Sequence, residues 1–309
     1  MNWKKKLATY ASLTVLATFI IHIINKLIYF MSTIDNLLGR KEGLYYEWRF
    51  GKIFYTKEGT GKPILLIHDL SACSSEYEWN RIVSDLSKKN TVYTLDLLGC
   101  GKSDKPNFTY TNFLYVQLVT DFINNVIGEK ADVIVTGNSC SFVLMACHNN
   151  DEIIDRILLI NPPSISSISK VPTKRTKMLK FIINIPFIGT LLFNLLHSKD
   201  SIEQTFMTEY FYNPQFVDDE IVKTYCESAQ ISKTQSKYLF ASITECLTHI
   251  DNSIFILVGS GNPTYKEYAQ QYQSYTPAIE VQTIKKAKYL PQLEVPEKVL
   301  EQIKILFEL

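Results

Sequence analysis

Short apolar runs alternate with helical periods along most of this chain, and the alternation carries most of its architecture. "LYYEWRF" (44–50) and "KIFYTKEG" (52–59) read as two strands of a hairpin turning at Gly51. "PILLIHDL" (Pro63–Leu70) is almost continuously apolar, as expected of a strand covered on both faces. A helical pattern over Trp79–Lys89 leads to "TVYTLDL" (Thr91–Leu97). A longer helical pattern over Tyr110–Ile127 precedes the buried run "DVIVTG" (Asp132–Gly137), and a helix over Phe142–His148 precedes "RILLINP" (Arg156–Pro162). Strand, helix, strand, helix with short connections predicts an α/β fold: a mostly parallel central sheet with helices on both faces.

The rhythm breaks between Pro163 and about Thr248, where the pattern is mainly helical. This stretch includes "MLKFIINIPFIGTLLFNLLHS" (Met178–Ser198), rich in apolar residues around Pro186 and Gly189. It reads either as a second membrane segment or as an inserted lid whose apolar face, with Phe181, Phe187 and Phe193, roofs a pocket. Pro186 inside the run and Lys180 just before it favour the lid. The strand–helix alternation resumes with "SIFILVG" (Ser253–Gly259), a helix, "EVQTIKKA" (Glu280–Ala287) and a last helix over Pro296–Glu308. The expected division is therefore a core of 43–162 and 249–309 with a helical lid at 163–248.

The first 31 residues form a separate unit. Lys4, Lys5 and Lys6 precede a mostly apolar run from Leu7 to Ile24, 18 residues long, enough to cross a bilayer as a helix. No clear small-x-small cleavage site follows, which favours an uncleaved single-pass anchor over a signal peptide. An amphipathic helix packed on the domain is the competing reading, but Thr9, Ser12, Thr14, Thr18 and His22 are spread around the helix rather than gathered on one face. Three lysines before the span against Lys26, Arg40 and Lys41 after it lean toward a cytoplasmic N-terminus. The six scattered cysteines, read as thiols, lean the other way, and the side is left open.

Composition adds limits. The formal charge of +1 gives no bulk basic surface, so nucleic acid is not an expected partner. Hydrophobic residues make up 46% of the chain, enough for a large core. The cysteines and histidines have no zinc-ligand spacing, and neither a metal nor a cofactor is expected.

The chemistry concentrates at strand ends. "TGNSCS" (Thr136–Ser141) joins a buried strand directly to a helix with Ser139 at the corner, where a nucleophile sits on a tight turn facing the free N–H groups of a helix N-terminus. "DLLGCGKSDKP" (Asp96–Pro106) and "LLIHD", with Trp79 following, extend the pattern. Together these motifs resemble the α/β-hydrolase superfamily, specifically its lid-bearing, esterase- and epoxide-hydrolase-like branch. The resemblance implies an α/β-hydrolase fold over about 43–309 with an inserted helical lid. It also places functional positions. Ser139 takes the nucleophile position, Asn262 in "GSGNP" stands where the acid is usual, and Tyr289 before "LPQLEVPE" stands where the histidine is usual. The oxyanion loop reads His68-Asp69 rather than His-Gly, with backbone donors expected from Leu70 and Cys140.

Tyr289 is a weak base unless the neighbouring Lys286 and Lys288 depress its pKa, and Asp69 sets a carboxylate beside the charge an ester intermediate develops. His22, His148, His197 and His249 lie away from the corner, and His68 is expected to support its loop from behind. The sequence thus favours a membrane-anchored pseudo-hydrolase that binds an apolar ligand or a partner. The alternative is a serine hydrolase for esters, thioesters or amides with a non-standard base.

Overall fold

An eight-stranded sheet organises the chain, in a computed structural model that describes residues 3–169, 178, 181–183, 185–232, 237–238 and 243–309. Its strands are β1 (Leu44–Trp48), β2 (Gly51–Glu58), β3 (Lys62–Ile67), β4 (Asn90–Leu95), β6 (Ala131–Thr136), β7 (Ile154–Ile160), β9 (Ser253–Gly259) and β10 (Glu280–Ile284), in the order β1-β2-β4-β3-β6-β7-β9-β10. The two short strands β5 (Tyr110–Thr111) and β8 (Lys237–Tyr238) pair separately. β1–β2 and β2–β4 are antiparallel and every other pair is parallel. The alternating hairpin is thus at one edge, and the continuous apolar runs are the central strands, as burial on two faces requires.

The helices are α1 (Trp3–Thr33), α2 (Val83–Leu86), α3 (Asn112–Phe122), α4 (Cys140–Asn149), α5 (Ile165–Ile168), α6 (Ile188–Leu196), α7 (Lys199–Thr205), α8 (Asp219–Ser232), α9 (Thr244–Thr248), α10 (Pro263–Tyr275), α11 (Pro291–Glu294) and α12 (Pro296–Leu306). One face of the sheet packs on α3, α4, α9 and α10 through Phe122, Phe142, Leu247 and Tyr272. The other packs on Trp79, α2 and α12 through Leu86, Ile303 and Phe307. The helix expected over Trp79–Lys89 is shorter, a 3-10 turn at Glu76–Trp79 and then α2. The last strand stops at Ile284 because Lys286 turns into the left-handed region, φ 57°.

Between β7 and β9 the described chain is mainly helical, from α5 to α9, with the short strand β8 among the helices. The lid expected at 163–248 falls partly outside the described residues, and Lys180 with it. Phe206, Phe211, Tyr225, Leu290 and Leu293 form a third cluster that joins these helices to the loop after β10.

Among the described residues, α1 alone is long and apolar enough to cross a membrane, with a mean hydropathy of 1.9 over its most apolar window. Met178–Ser198 is not one such helix, since Pro186 and Phe187, the latter at φ 62°, interrupt it before α6 begins.

Candidate functional site

The parallel register sets Ile67 of β3 beside Val135 of β6, so the loops after these strands emerge together at the C-terminal end of the sheet. This is where open α/β sheets bind ligands. Four sequence-marked residues meet there or nearby: Asp69, Leu70, Ser139 and Tyr289.

The corner after β6 turns at Gly137, φ 58°, the left-handed region in which a side chain is strained. A Cβ at Gly137 would stand 2.1 Å from the Tyr289 hydroxyl and 2.5 Å from Asp69 Oδ1. Gly137 is therefore the corner residue whose side-chain direction points at both groups. Ser139 lies in ordinary helical geometry, φ −67° and ψ −19°, at the start of α4. It is wholly buried, and its Oγ donates to the His68 carbonyl at 2.6 Å. Cys140 does not serve as an oxyanion donor, because its N–H closes the turn onto the Gly137 carbonyl.

Asp69 fills the space that these backbone groups surround. Its Oδ1 accepts from Leu70 N at 2.8 Å, Asn138 N at 2.8 Å and Asn138 Nδ2 at 3.2 Å, while its Oδ2 accepts the Tyr289 hydroxyl proton at 3.0 Å. Burial pushes the Asp69 carboxyl above the ordinary carboxylate range, and these four donors act against that rise. Burial also holds the Tyr289 hydroxyl well above its ordinary pKa, and the Asp69 charge raises it further. Although the residue as a whole keeps partial exposure, its hydroxyl end points inward onto Asp69. Lys286 and Lys288 do not depress it. Lys288 Nζ instead donates to the Thr208 carbonyl at 2.7 Å, and the Lys286 backbone N–H binds Ser260. Tyr289 keeps its proton and is a donor here, not a base.

A buried layer lies behind Asp69. Glu78 Oε2 accepts from Asp69 N at 3.1 Å, and Gln292 Nε2 donates to Glu78 Oε1 at 2.8 Å and to Thr136 Oγ1 at 3.2 Å. Burial, and then the Asp69 charge, push Glu78 up to about 8, so it is largely protonated at neutral pH. His68 Nε2 accepts from Leu97 N at 3.0 Å, which leaves the proton on Nδ1 for the Asp69 carbonyl at 2.6 Å. Both ring nitrogens serve the loop from behind, as expected of this histidine.

Asn262 caps α10, its Oδ1 accepting from Thr264 N at 3.1 Å. The residue of α10 packed against Tyr289 is Tyr265, with ring centroids 6.0 Å apart. Glu294 holds the Tyr289 loop, accepting from Lys288 N at 3.1 Å and Asn213 N at 2.8 Å. Asn138, Glu78 and Gln292 were not marked by the sequence, and Gly137 only as a small neighbour of Ser139. Asn138 and Gly137 lie inside the quoted corner motif, whereas Glu78 and Gln292 carry no motif signal.

Tyr210 covers the site, stacked on Tyr289 at 5.3 Å and accepting its backbone N–H. Tyr210 packs in turn on Phe206, and Phe206 on Tyr225. Phe181 is 71% exposed, Phe187 packs edge-on against His22 of α1, and Phe193 stacks on His197. No disulfide joins any of the six cysteines, all of which are described residues. Among the described residues, no three His, Cys, Asp or Glu side chains group as metal ligands.

The model of the alpha/beta hydrolase family matches residues 64–302. The chain belongs to that family. A 2-hydroxy-6-oxo-6-(2'-aminophenyl)hexa-2,4-dienoic acid hydrolase of Metapseudomonas resinovorans is 34% identical over 86 residues, 28% of this chain and 29% of that one. A soluble epoxide hydrolase of a Corynebacterium species is 25% identical over 110 residues, 36% of this chain and 38% of that one. The matched stretch spans about a third of these curated relatives. The naproxen esterase of Bacillus subtilis superposes with a TM-score of 0.67 at 19% identity, covering 92% of this chain and 98% of the esterase. A serine hydrolase of carbazole degradation superposes at 0.69 with 14% identity, covering 86% and 98%. At such identities the superpositions carry the family's fold, not its activity.

Proposed function

We propose that this member of the alpha/beta hydrolase family is a membrane-anchored, non-hydrolytic protein that works by binding an apolar ligand or a partner. The observation that carries the reading is Asp69, whose carboxyl already occupies the amide N–H groups of Leu70 and Asn138. In an acyl-transfer enzyme such paired N–H groups stabilise the oxyanion of the tetrahedral intermediate. Here an incoming oxyanion meets an acidic oxygen instead, and the Tyr289 hydroxyl holds that acid in place.

The place facing Tyr289 and Asp69 belongs to Gly137, which has no reacting atom. Ser139 does not supply one, because its proton goes to a backbone carbonyl, and a carbonyl does not act as a general base at neutral pH. α1 supplies the tether, by its length and composition. The inserted helices with their aromatic cluster supply the apolar surface for a ligand or partner.

The names of the structural neighbours speak for a second reading, a serine hydrolase in which Ser139 is freed by movement of the His68–Asp69 loop. Hydrolysis of a panel of p-nitrophenyl esters by the full chain and by Ser139→Ala separates the two. Equal, background-level rates are expected. A rate above background that Ser139→Ala abolishes establishes the second reading.

A further inference from the structure

The inserted helices leave a large apolar face uncovered, and α1 runs beside it. Ile188, Leu195 and Leu196 of α6 are all more than half exposed, and they share one face of the helix. Its opposite face, with Gly189, Phe193 and Asn194, is buried. The sequence holds no Asp, Glu, Lys or Arg from Phe181 to Ser198, and charge returns at Lys199 and Asp200. A solvated surface helix presents polar residues on its outer face, and this one presents leucine and isoleucine.

Where α6 meets α1 says what covers that face. The Phe187 ring lies 5.6 Å from His22, edge-on. Together Phe187, Thr14, Val15, Thr18, Phe19 and His22 line one cleft of about 390 Å³. These α1 residues belong to the apolar run Leu7–Ile24, not to the stretch beyond it. At the helical rise, His22 lies about 3 Å and Phe19 about 8 Å inside the end of that run. A ring seated against them sits at the depth of the acyl chains. Asn25 Nδ2 donates to the Phe187 carbonyl at 2.9 Å, and Asn194 Nδ2 donates to Asn25 Oδ1 at 2.9 Å. The Phe187 carbonyl also accepts from Leu191 N of α6 at 2.9 Å, so both of its donors come from protein, as suits a backbone group out of reach of water. Beyond this clamp the contacts become polar: Lys223 pairs with Asp35 at 3.2 Å, and Leu37 N donates to Glu227.

We propose that the Pro186–Phe187 turn and the outer face of α6 are immersed in the lipid bilayer beside α1, so that the domain lies on the membrane with its inserted helices down. The inference rests on the reading of α1 as a membrane anchor. It commits that apolar face to lipid rather than to a soluble partner, and it leaves the remaining surface of the domain for partners.

Nitroxide labels test it on the full chain reconstituted in phosphatidylcholine vesicles, with Cys73→Ser removing the partly exposed native thiol. Labels at Ile188→Cys and Leu195→Cys report the face, Leu13→Cys reports α1, and Glu301→Cys reports a water-exposed site on α12. Collision with a water-soluble nickel complex is expected to fall several-fold at Ile188, Leu195 and Leu13 relative to Glu301, while collision with oxygen rises. If Leu13 is shielded from nickel but Ile188 and Leu195 collide freely, the immersion is wrong and the anchor stands. If the two labels are shielded from both nickel and oxygen, protein covers the face and the lipid assignment is overturned. If Leu13 itself collides freely with nickel, the anchor reading fails, and the inference fails with it.

Discussion

The two ends of β6 each hold a buried carboxyl in its vicinity, and they solve the same problem in opposite ways. At the N-terminal end, Asp132 is fully buried between two cations: Arg156 forks onto it with contacts of 2.6 and 3.0 Å, and Lys62 approaches to 3.1 Å. At the C-terminal end, Asp69 is nearly as buried, but its partners are backbone amides, a side-chain amide and a phenol. Charge is compensated by charge at one end and by dipoles at the other. The first arrangement ties β3, β6 and β7 to Phe307 just after α12, whose carbonyl also accepts from Arg156. The second, on the function proposed above, occupies the group of donors that a hydrolase keeps open, so the difference separates a structural carboxylate from one proposed to alter a site.

Breaking the first end is expected to cost most. Asp132→Ala leaves Arg156 and Lys62 without their buried partner, at about 3 kcal/mol, the lower part of the range for such losses because Lys62 is partly exposed. Urea unfolding measures it, and an effect below about 1 kcal/mol would equate the two ends.

Gly137→Ala comes next. The left-handed φ and the close approach to Tyr289 and Asp69 together give a loss of about 2 kcal/mol. In a Tyr289→Phe background, which removes the atom nearest that Cβ, the same substitution is expected to cost about 1 kcal/mol less. Equal costs in both backgrounds would show that Gly137 does not face Tyr289. Tyr289→Phe alone removes one donor from Asp69 and is expected to cost about 1 kcal/mol.

The fold was largely legible in the sequence and the site only partly. Continuous apolar runs such as Pro63–Leu70 are diagnostic because a central strand tolerates no polar face. The corner was harder. "VTGNSCS" fits small residues around Ser139, but which residue takes the positive φ is decided by the packing of β6 against α4, and glycine takes it at little cost. Phe181 and Phe187 showed that the inserted segment has an apolar face without showing which way that face turns. Glu78 and Gln292 could not be found by pattern, since they meet across 214 positions of chain.

A further expected effect is a change of slope. Glu78 is raised from an ordinary 4.5 to about 8. The folded state therefore holds a proton that the unfolded state has released across that interval, and this contribution to stability is lost as pH rises from about 4.5 through 8. Glu78→Gln keeps an acceptor toward Asp69 N and has nothing to titrate. Its melting temperature is expected to fall less between pH 5 and pH 9 than that of the parent chain, and equal falls would place the coupling elsewhere.

The central claim is that this site lacks an activated serine because Asp69, held by the Tyr289 hydroxyl, occupies the oxyanion donors and Gly137 stands where a nucleophile would face them. Intact mass of the full chain in detergent after exposure to a fluorophosphonate probe tests it most directly, with Ser139→Ala alongside. The account expects an unchanged mass in both. A stoichiometric adduct on the parent chain that Ser139→Ala abolishes would contradict it.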